Sequence, residues 1–314
     1  MPFEINGEMI HPGEQKKVIV NIAMLPSHSS IDISVTISRS REPGPILLLL
    51  GGLHGDEING VEIVRRMLEK NTVLPKRGTT ICVPILNIFG FIHFSRYVPD
   101  GKDVNRSFPG NKNGSLASRV AHYFMHDIIP KIDYGVDFHT GGADRSNFPQ
   151  IRCAFRDEQT VPLAEAFGAP FTLNSPYRPR SLRQSAARLG KPMLVFEGGE
   201  SSRFDEFAIE QGMQGTERLM AHLGMIDRPK KESTYSNQVL LRSGWVRAKH
   251  SGIFRIKVSN GTHVNKRQVL GTINDPFGDF KVVVKSPIDG FIIGVNNNPI
   301  VHQGDAIIHI GLLK

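Results

Sequence analysis

Residues 16–40 alternate between apolar and polar positions, the period of strands with one covered face. Then the pattern changes. Ile46-Leu47-Leu48-Leu49-Leu50 is a continuous apolar run closed by Gly51-Gly52, which fits a strand buried on both faces of a parallel or mixed sheet. From Ile58 to Glu69 the period becomes helical, with Val61, Val64 and Leu68 on one face and Arg65, Arg66 and Glu69 elsewhere. Short apolar runs predict further strands at Thr80–Leu86, Tyr134–Phe138 and Met193–Phe196. A helix is expected over Ser115–Ile128, stopped by Pro130. Another opens at the capping-box pattern Ser181-Leu182-Arg183-Gln184 and should end at Gly190, ahead of Pro192. Strands alternating with helices over 40–225 predict a three-layer α/β domain around a mixed sheet.

The polar segment from Asp227 to Thr234 reads as a linker. Beyond it helical periodicity disappears, and short strands recur between Gly252, Gly261, Gly271, Gly278, Gly290 and Gly304. That texture predicts a small all-β domain. The expected division is an α/β domain at 1–235 and a β-rich domain at 236–314.

Composition narrows the class. With 39% hydrophobic and 22% charged residues, the 314-residue chain is an ordinary globular sequence, which excludes disordered and collagen-like chains. It is long enough to bury a core without disulfides. The longest apolar run is too short to span a bilayer, so no membrane partner is expected. The opening Met-Pro-Phe-Glu-Ile-Asn has no apolar h-region, so a cytoplasmic location is expected. Cys82 and Cys153 are too few for a disulfide framework and read as buried thiols. The net charge of +8 suits anionic ligands. A nucleic-acid partner is not expected, because no basic run is interleaved with aromatics and there are only one Trp and five Tyr.

The candidate chemistry lies at the strand ends. His54-Gly55-Asp56-Glu57 follows the buried Leu run, with Gly55 expected to permit a tight turn. An imidazole and a carboxylate three residues apart can converge on one cation, and two His with one Glu is a recurring catalytic zinc set. His139, closing Val136-Asp137-Phe138 before Thr140-Gly141-Gly142, is the natural third ligand. Glu197 ends the run Met193–Phe196 before Gly198-Gly199, where a carboxylate can shuttle a proton. Asn105-Arg106 pairs an amide with a guanidinium, suited to a substrate carboxylate. Arg96 can stabilise an oxyanion, and Asp103 can orient a ligating His. The structural alternatives are an Asx-turn Asp103, two surface arginines and a salt-bridged Glu197.

Four strings in order, GGLHGDEING, DVNRSFPG, VDFHTGG and LVFEGGE, resemble the succinylglutamate desuccinylase/aspartoacylase family of zinc-dependent deacylases, related to the zinc carboxypeptidases. The resemblance runs over essentially the whole chain. It implies a zinc-carboxypeptidase-like fold, one Zn2+ per chain on His54, Glu57 and His139, and Glu197 as general acid/base. It further implies Asn105 and Arg106 as the substrate pair, Arg96 as the oxyanion arginine and Asp103 behind a ligand. Members often use another arginine before the catalytic Glu for the substrate's distal acid group. Arg183 is the candidate here, with Arg178 and Arg180 as rivals. Some members also use a Tyr from the C-terminal domain, but the last Tyr here is Tyr235, which argues against N-acetylaspartate. The tail from Ser251 to Gly290 resembles the barrel-sandwich hybrid of biotinyl and lipoyl domains. Its Asp275–Asp279 hairpin lacks an attachment lysine, so no covalent cofactor is expected and a roof over the site is.

The reading that results is a zinc-dependent amidohydrolase removing a small acyl group from an anionic N-acyl amino acid. The alternatives are a carboxypeptidase for short peptides and, more distantly, a non-catalytic basic binding module. Oligomeric state stays open, a homo-oligomer included.

Overall fold

The computed structural model describes residues 3–24, 27–229 and 235–313. Its spine is a sheet of 13 strands. The strands that matter for the site are β1 (Gln15–Met24), β2 (Ser30–Arg39), β3 (Glu42–Leu50), β4 (Arg77–Val83), β5 (Tyr134–Gly141), β6 (Arg145–Cys153), β7 (Met193–Glu200), β8 (Arg242–Arg247), β9 (Gly290–Asn296) and β10 (Ala306–Leu312). They run in the order β8-β10-β9-β6-β7-β5-β3-β4-β2-β1. The centre, β7-β5-β3-β4, is parallel, and both flanks are antiparallel.

The leucine run shows why the sheet is covered twice. Side chains alternate along a strand. Leu48 and Leu50 enter a core shared with Ala117, Val120, Phe124 and Ile128, whereas Leu47 and Leu49 enter a second core beneath Ile63, Val64 and Met67. All four leucines are fully buried, each stabilising by roughly 1.5–3 kcal/mol. The second core lies under three helices, α1 (Ile58–Glu69), α2 (Thr160–Phe167) and α3 (Glu206–His222). The expected three-layer mixed α/β fold is present.

Local signals were met with small departures. Residues 25 and 26, within the expected strand region, and 230–234, within the expected linker, lie outside the described residues. The helix expected over Ser115–Ile128 starts at its Ser115 cap, then widens into a π turn over Phe124–Ile128. Ser181 caps the helix Leu182–Arg188 through Gln184 N, but Gln184 Oε1 accepts from Arg180 N, one residue before the expected reciprocal partner.

The C-terminal part is all β, as expected, but it does not stand apart. β9 pairs antiparallel with β6, and the strand Gln238–Leu240 pairs with Phe171–Asn174, so the central sheet runs on from one part into the other. A separate four-stranded sheet completes the C-terminal core around Phe254, Leu270 and Ile273. Among the described residues, no helix is long and apolar enough to cross a membrane.

Candidate active site

The loops at the carboxyl ends of β3, β5 and β7 converge, the usual location of ligands in an open α/β sheet. His54 and Glu57 follow β3, with Glu57 at the N-cap of α1. His139 lies on β5, and Glu197 on β7 is its register partner. Gly55 lies in the expected tight turn, closed by Glu57 N donating to the His54 carbonyl at 3.3 Å, and it has a second role. Its backbone needs no left-handed conformation, but a Cβ there would sit 1.9 Å from the Gly90 carbonyl carbon, so close approach of the 87–96 segment requires glycine. Gly60 does the same for α1, where a Cβ would meet the Phe138 carbonyl oxygen at 2.5 Å.

His54, Glu57 and His139 are brought together as expected. Each offers one donor atom, all within 4.8 Å of one another, and all three residues are buried. His54 Nδ1 lies 2.8 Å from Glu57 Oε1 and His139 Nδ1 lies 2.8 Å from Glu57 Oε2. The two Nδ1 atoms are 3.2 Å apart. Each ring's far nitrogen faces a carboxylate: His139 Nε2 is 2.8 Å from Asp137 Oδ2, and His54 Nε2 is 3.4 Å from Asp103 Oδ1. Such outer carboxylates fix the tautomer of metal-ligating histidines and leave the inner nitrogen free to coordinate.

The electrostatics say the same. Burial alone would push the Glu57 carboxyl up, but the two imidazoles outweigh it and hold it well below the usual range. Burial would push both imidazoles down. Glu57 and Asp103 carry His54 above its ordinary value, and Asp137 and Glu57 carry His139 well above. Three carboxylates thus surround two rings in a water-poor place, a site that calls for positive charge. Two imidazole nitrogens and a carboxylate fit a catalytic zinc, with room left in the coordination for water.

Asp103 has two roles at once. Its Oδ1 accepts from Asn105 N at 2.7 Å, the Asx turn weighed above, while the same oxygen faces His54. Its Oδ2 accepts from Arg96 Nε and Nη2 at 3.0 and 2.9 Å. Burial would raise the Asp103 carboxyl, but His54 and Arg96 hold it low. Arg96 also reaches Glu57 Oε1 with Nη1 at 3.3 Å, so it borders the ligand cluster directly. Asn105 Oδ1 accepts from Leu182 N, which ties its loop to the helix Leu182–Arg188. The Arg106 side chain is exposed, with Nη1 donating to the Asn105 carbonyl.

Arg183 turns inward. It is 7% exposed, and Nη1 and Nη2 donate to the carbonyls of Arg152, Ser175 and Pro176 at 3.0, 2.9 and 3.0 Å. A guanidinium already committed to main chain does not suit a distal acid group. Its rivals Arg178 and Arg180 are exposed. Besides Arg96, Arg152 of β6 faces the site, with Nη1 3.1 Å from Glu197 Oε1. Asn147 Nδ2 donates to Glu197 Oε2 at 2.7 Å. Sequence reasoning missed Asp137, Asn147 and Arg152. Asp137 had a signal, since Asp-x-His on a strand puts both side chains on one face. The other two had none, because they depend on which strand lies beside β7.

Fold and site together define a three-layer α/β protein with a His/Glu/His set at its strand ends that could hold a metal ion. The chain belongs to the succinylglutamate desuccinylase/aspartoacylase family, whose catalytic-domain model matches residues 43–223. It is similar to an N-alpha-acetyl-L-2,4-diaminobutyric acid deacetylase of Halomonas elongata, 28% identical over 294 residues, covering 88% of this chain and 85% of that protein. Its fold matches a succinylglutamate desuccinylase/aspartoacylase from Rhodobacter sphaeroides at TM-score 0.84 and 23% identity, with 96% of each chain covered. The product-bound ectoine utilization protein EutE (DoeB) of Ruegeria pomeroyi matches at TM-score 0.84 and 22% identity, over 99% of this chain and 98% of that one.

Proposed function

We propose that the protein is a zinc-dependent amidohydrolase that deacylates a small N-acyl amino acid. The observation that carries this is the buried His54, Glu57 and His139 cluster with Glu197 beside His139 on the next parallel strand. A zinc ion held by those three residues would supply Lewis acidity to a water and to the acyl oxygen. Glu197 takes a proton from the attacking water and returns it to the departing amine. Arg96, already at the cluster, donates to the acyl oxygen as charge develops there. The exposed Arg106 and the Asn105 amide bind the substrate carboxylate. Asp137 and Asp103 hold the two histidine rings in place.

The relative from Halomonas elongata acts, by its name, on N-alpha-acetyl-L-2,4-diaminobutyric acid, which makes small acetylated amino acids the first substrates to test. The proposed organisation is a catalytic domain at 1–235 and a β domain at 236–314, working as a soluble cytoplasmic enzyme.

The test is a screen of zinc-loaded protein against N-acetyl, N-succinyl and N-formyl amino acids and short peptides, with free amine as readout. Turnover of one N-acyl amino acid well above the peptides is expected. Peptide hydrolysis without deacylation would replace this reading with the carboxypeptidase one.

A further inference from the structure

Glu197 is held at both oxygens. Arg152 Nη1 lies 3.1 Å from Oε1, and Asn147 Nδ2 donates to Oε2 at 2.7 Å. Both partners come from β6, yet residues five apart point to opposite faces of a regular strand. The sheet resolves this with a bulge. Glu197 pairs with Gln150 and Gly199 with Asn147, so two steps along β7 match three along β6. The extra residue returns Asn147 to the face that Arg152 occupies, a use of bulges seen beside active sites.

The C-terminal part braces the same spot. Gly294 of β9 pairs with Asn147, and a Cβ at 294 would lie 2.8 Å from Asn147 Oδ1. β9 carries its own register shift against β10 between Ile292 and Gly294. The Ile293 carbonyl between them accepts from Nε2 of Gln150, the residue opposite Glu197, at 3.0 Å. From the other side, Arg183 Nη1 donates to the Arg152 carbonyl. The arginine expected to touch substrate therefore holds the main chain of the one that touches Glu197.

We propose that Arg152 and Asn147 are positioning residues that lock the Glu197 carboxylate in one orientation, and that Gly294 of the C-terminal strand β9 completes the lock by leaving room for the Asn147 amide. This rests on the reading of Glu197 as general acid/base. Each carboxylate oxygen keeps a further lone pair for the proton it must carry, so the lock does not block the chemistry. A misplacement of about 1 Å at a reacting group costs on the order of 10²-fold in rate, which is what the lock prevents.

The test uses the full-length, zinc-loaded chain with N-α-acetyl-L-2,4-diaminobutyrate as substrate and free amine as readout. Arg152→Gln, Arg152→Lys, Gly294→Ala and Glu197→Gln are measured beside the parent, and crystal structures of the Arg152→Gln and Gly294→Ala variants are solved. Arg152→Gln and Gly294→Ala should each lower kcat roughly 10–100-fold with KM within about twofold. Arg152→Lys should recover part of the loss. The structures should show the Glu197 carboxylate moved by about 1 Å or spread over rotamers. An unmoved Glu197 in Arg152→Gln overturns the proposal, and so does a raised KM at constant kcat, which would make Arg152 a substrate contact. If Arg152→Gln fails to fold, Gly294→Ala carries the same readouts. Parental turnover in Glu197→Gln would instead sink the general-base reading, while the crystal structures still decide whether the lock exists.

Discussion

The metal-ligand cluster and Glu197 sit side by side but are supported from different parts of the chain. His54, Glu57 and His139 come from β3 and β5, and the carboxylates behind the rings, Asp103 and Asp137, come from the same part of the chain. Glu197 depends on an antiparallel neighbour, β6, and through Gly294 and Ile293 on the C-terminal strand β9. Burial differs as well. The His54 and Glu57 side chains are 3% exposed, whereas that of Glu197 is 13% exposed. A closed cluster suits tight ion binding, and a more open carboxylate suits proton exchange with a substrate. On the proposed function, the comparison teaches that ion binding and turnover should be separable by substitution.

Glu197→Gln separates them most sharply. Turnover should fall by roughly 10²–10⁴ while zinc content stays at the parental level. Loss of the ion in this variant would show that the two regions are not separable. Asp137→Asn acts on the other region. It weakens the partner of His139 Nε2 and should loosen metal affinity by about 10–100-fold, read by chelator competition. A turnover defect at saturating zinc as large as that of Glu197→Gln would break the distinction.

A further prediction concerns stability rather than turnover, in the C-terminal strands. His309 of β10 stacks flat on Trp245 of β8, ring centroids 4.6 Å apart, and burial followed by the nearby Arg152 charge pushes its pKa down to about 3. An unfolded chain takes up a proton there below about pH 6.5, while the folded one does not until near pH 3. This contribution to stability is therefore complete above pH 6.5 and is lost as the pH falls toward 3, with a slope of at most about 1.4 kcal/mol per pH unit. Thermal melts of parent and His309→Phe across that window check it, since the variant should lose this part of the slope. An identical pH dependence would contradict the lowered His309 pKa.

The legible and illegible parts of the sequence follow the same division. The α/β architecture could be read because Ile46–Leu50 is apolar without interruption while Ile58–Glu69 switches to helical period. The ligand residues could be read because each follows such a run beside a glycine. Asn147 and Arg152 could not, since neither β6 lying beside β7 nor the bulge that turns Asn147 inward leaves a local mark. The burial of Arg183 could not be read either, because a basic residue in the first turn of a helix reads as exposed. Here that turn packs against the Ser175–Pro176 carbonyls. The pairing of β9 with β6 was illegible for a related reason, because it joins residues almost 150 apart in sequence.

Metal analysis of the purified protein and of His139→Ala tests the central claim most directly. The parent should bind about one zinc per chain and release amine from an N-acyl amino acid, and the variant should lose both while keeping its fold by circular dichroism. Full zinc occupancy in His139→Ala, or a parent that deacylates equally well after the ion is stripped, would contradict it.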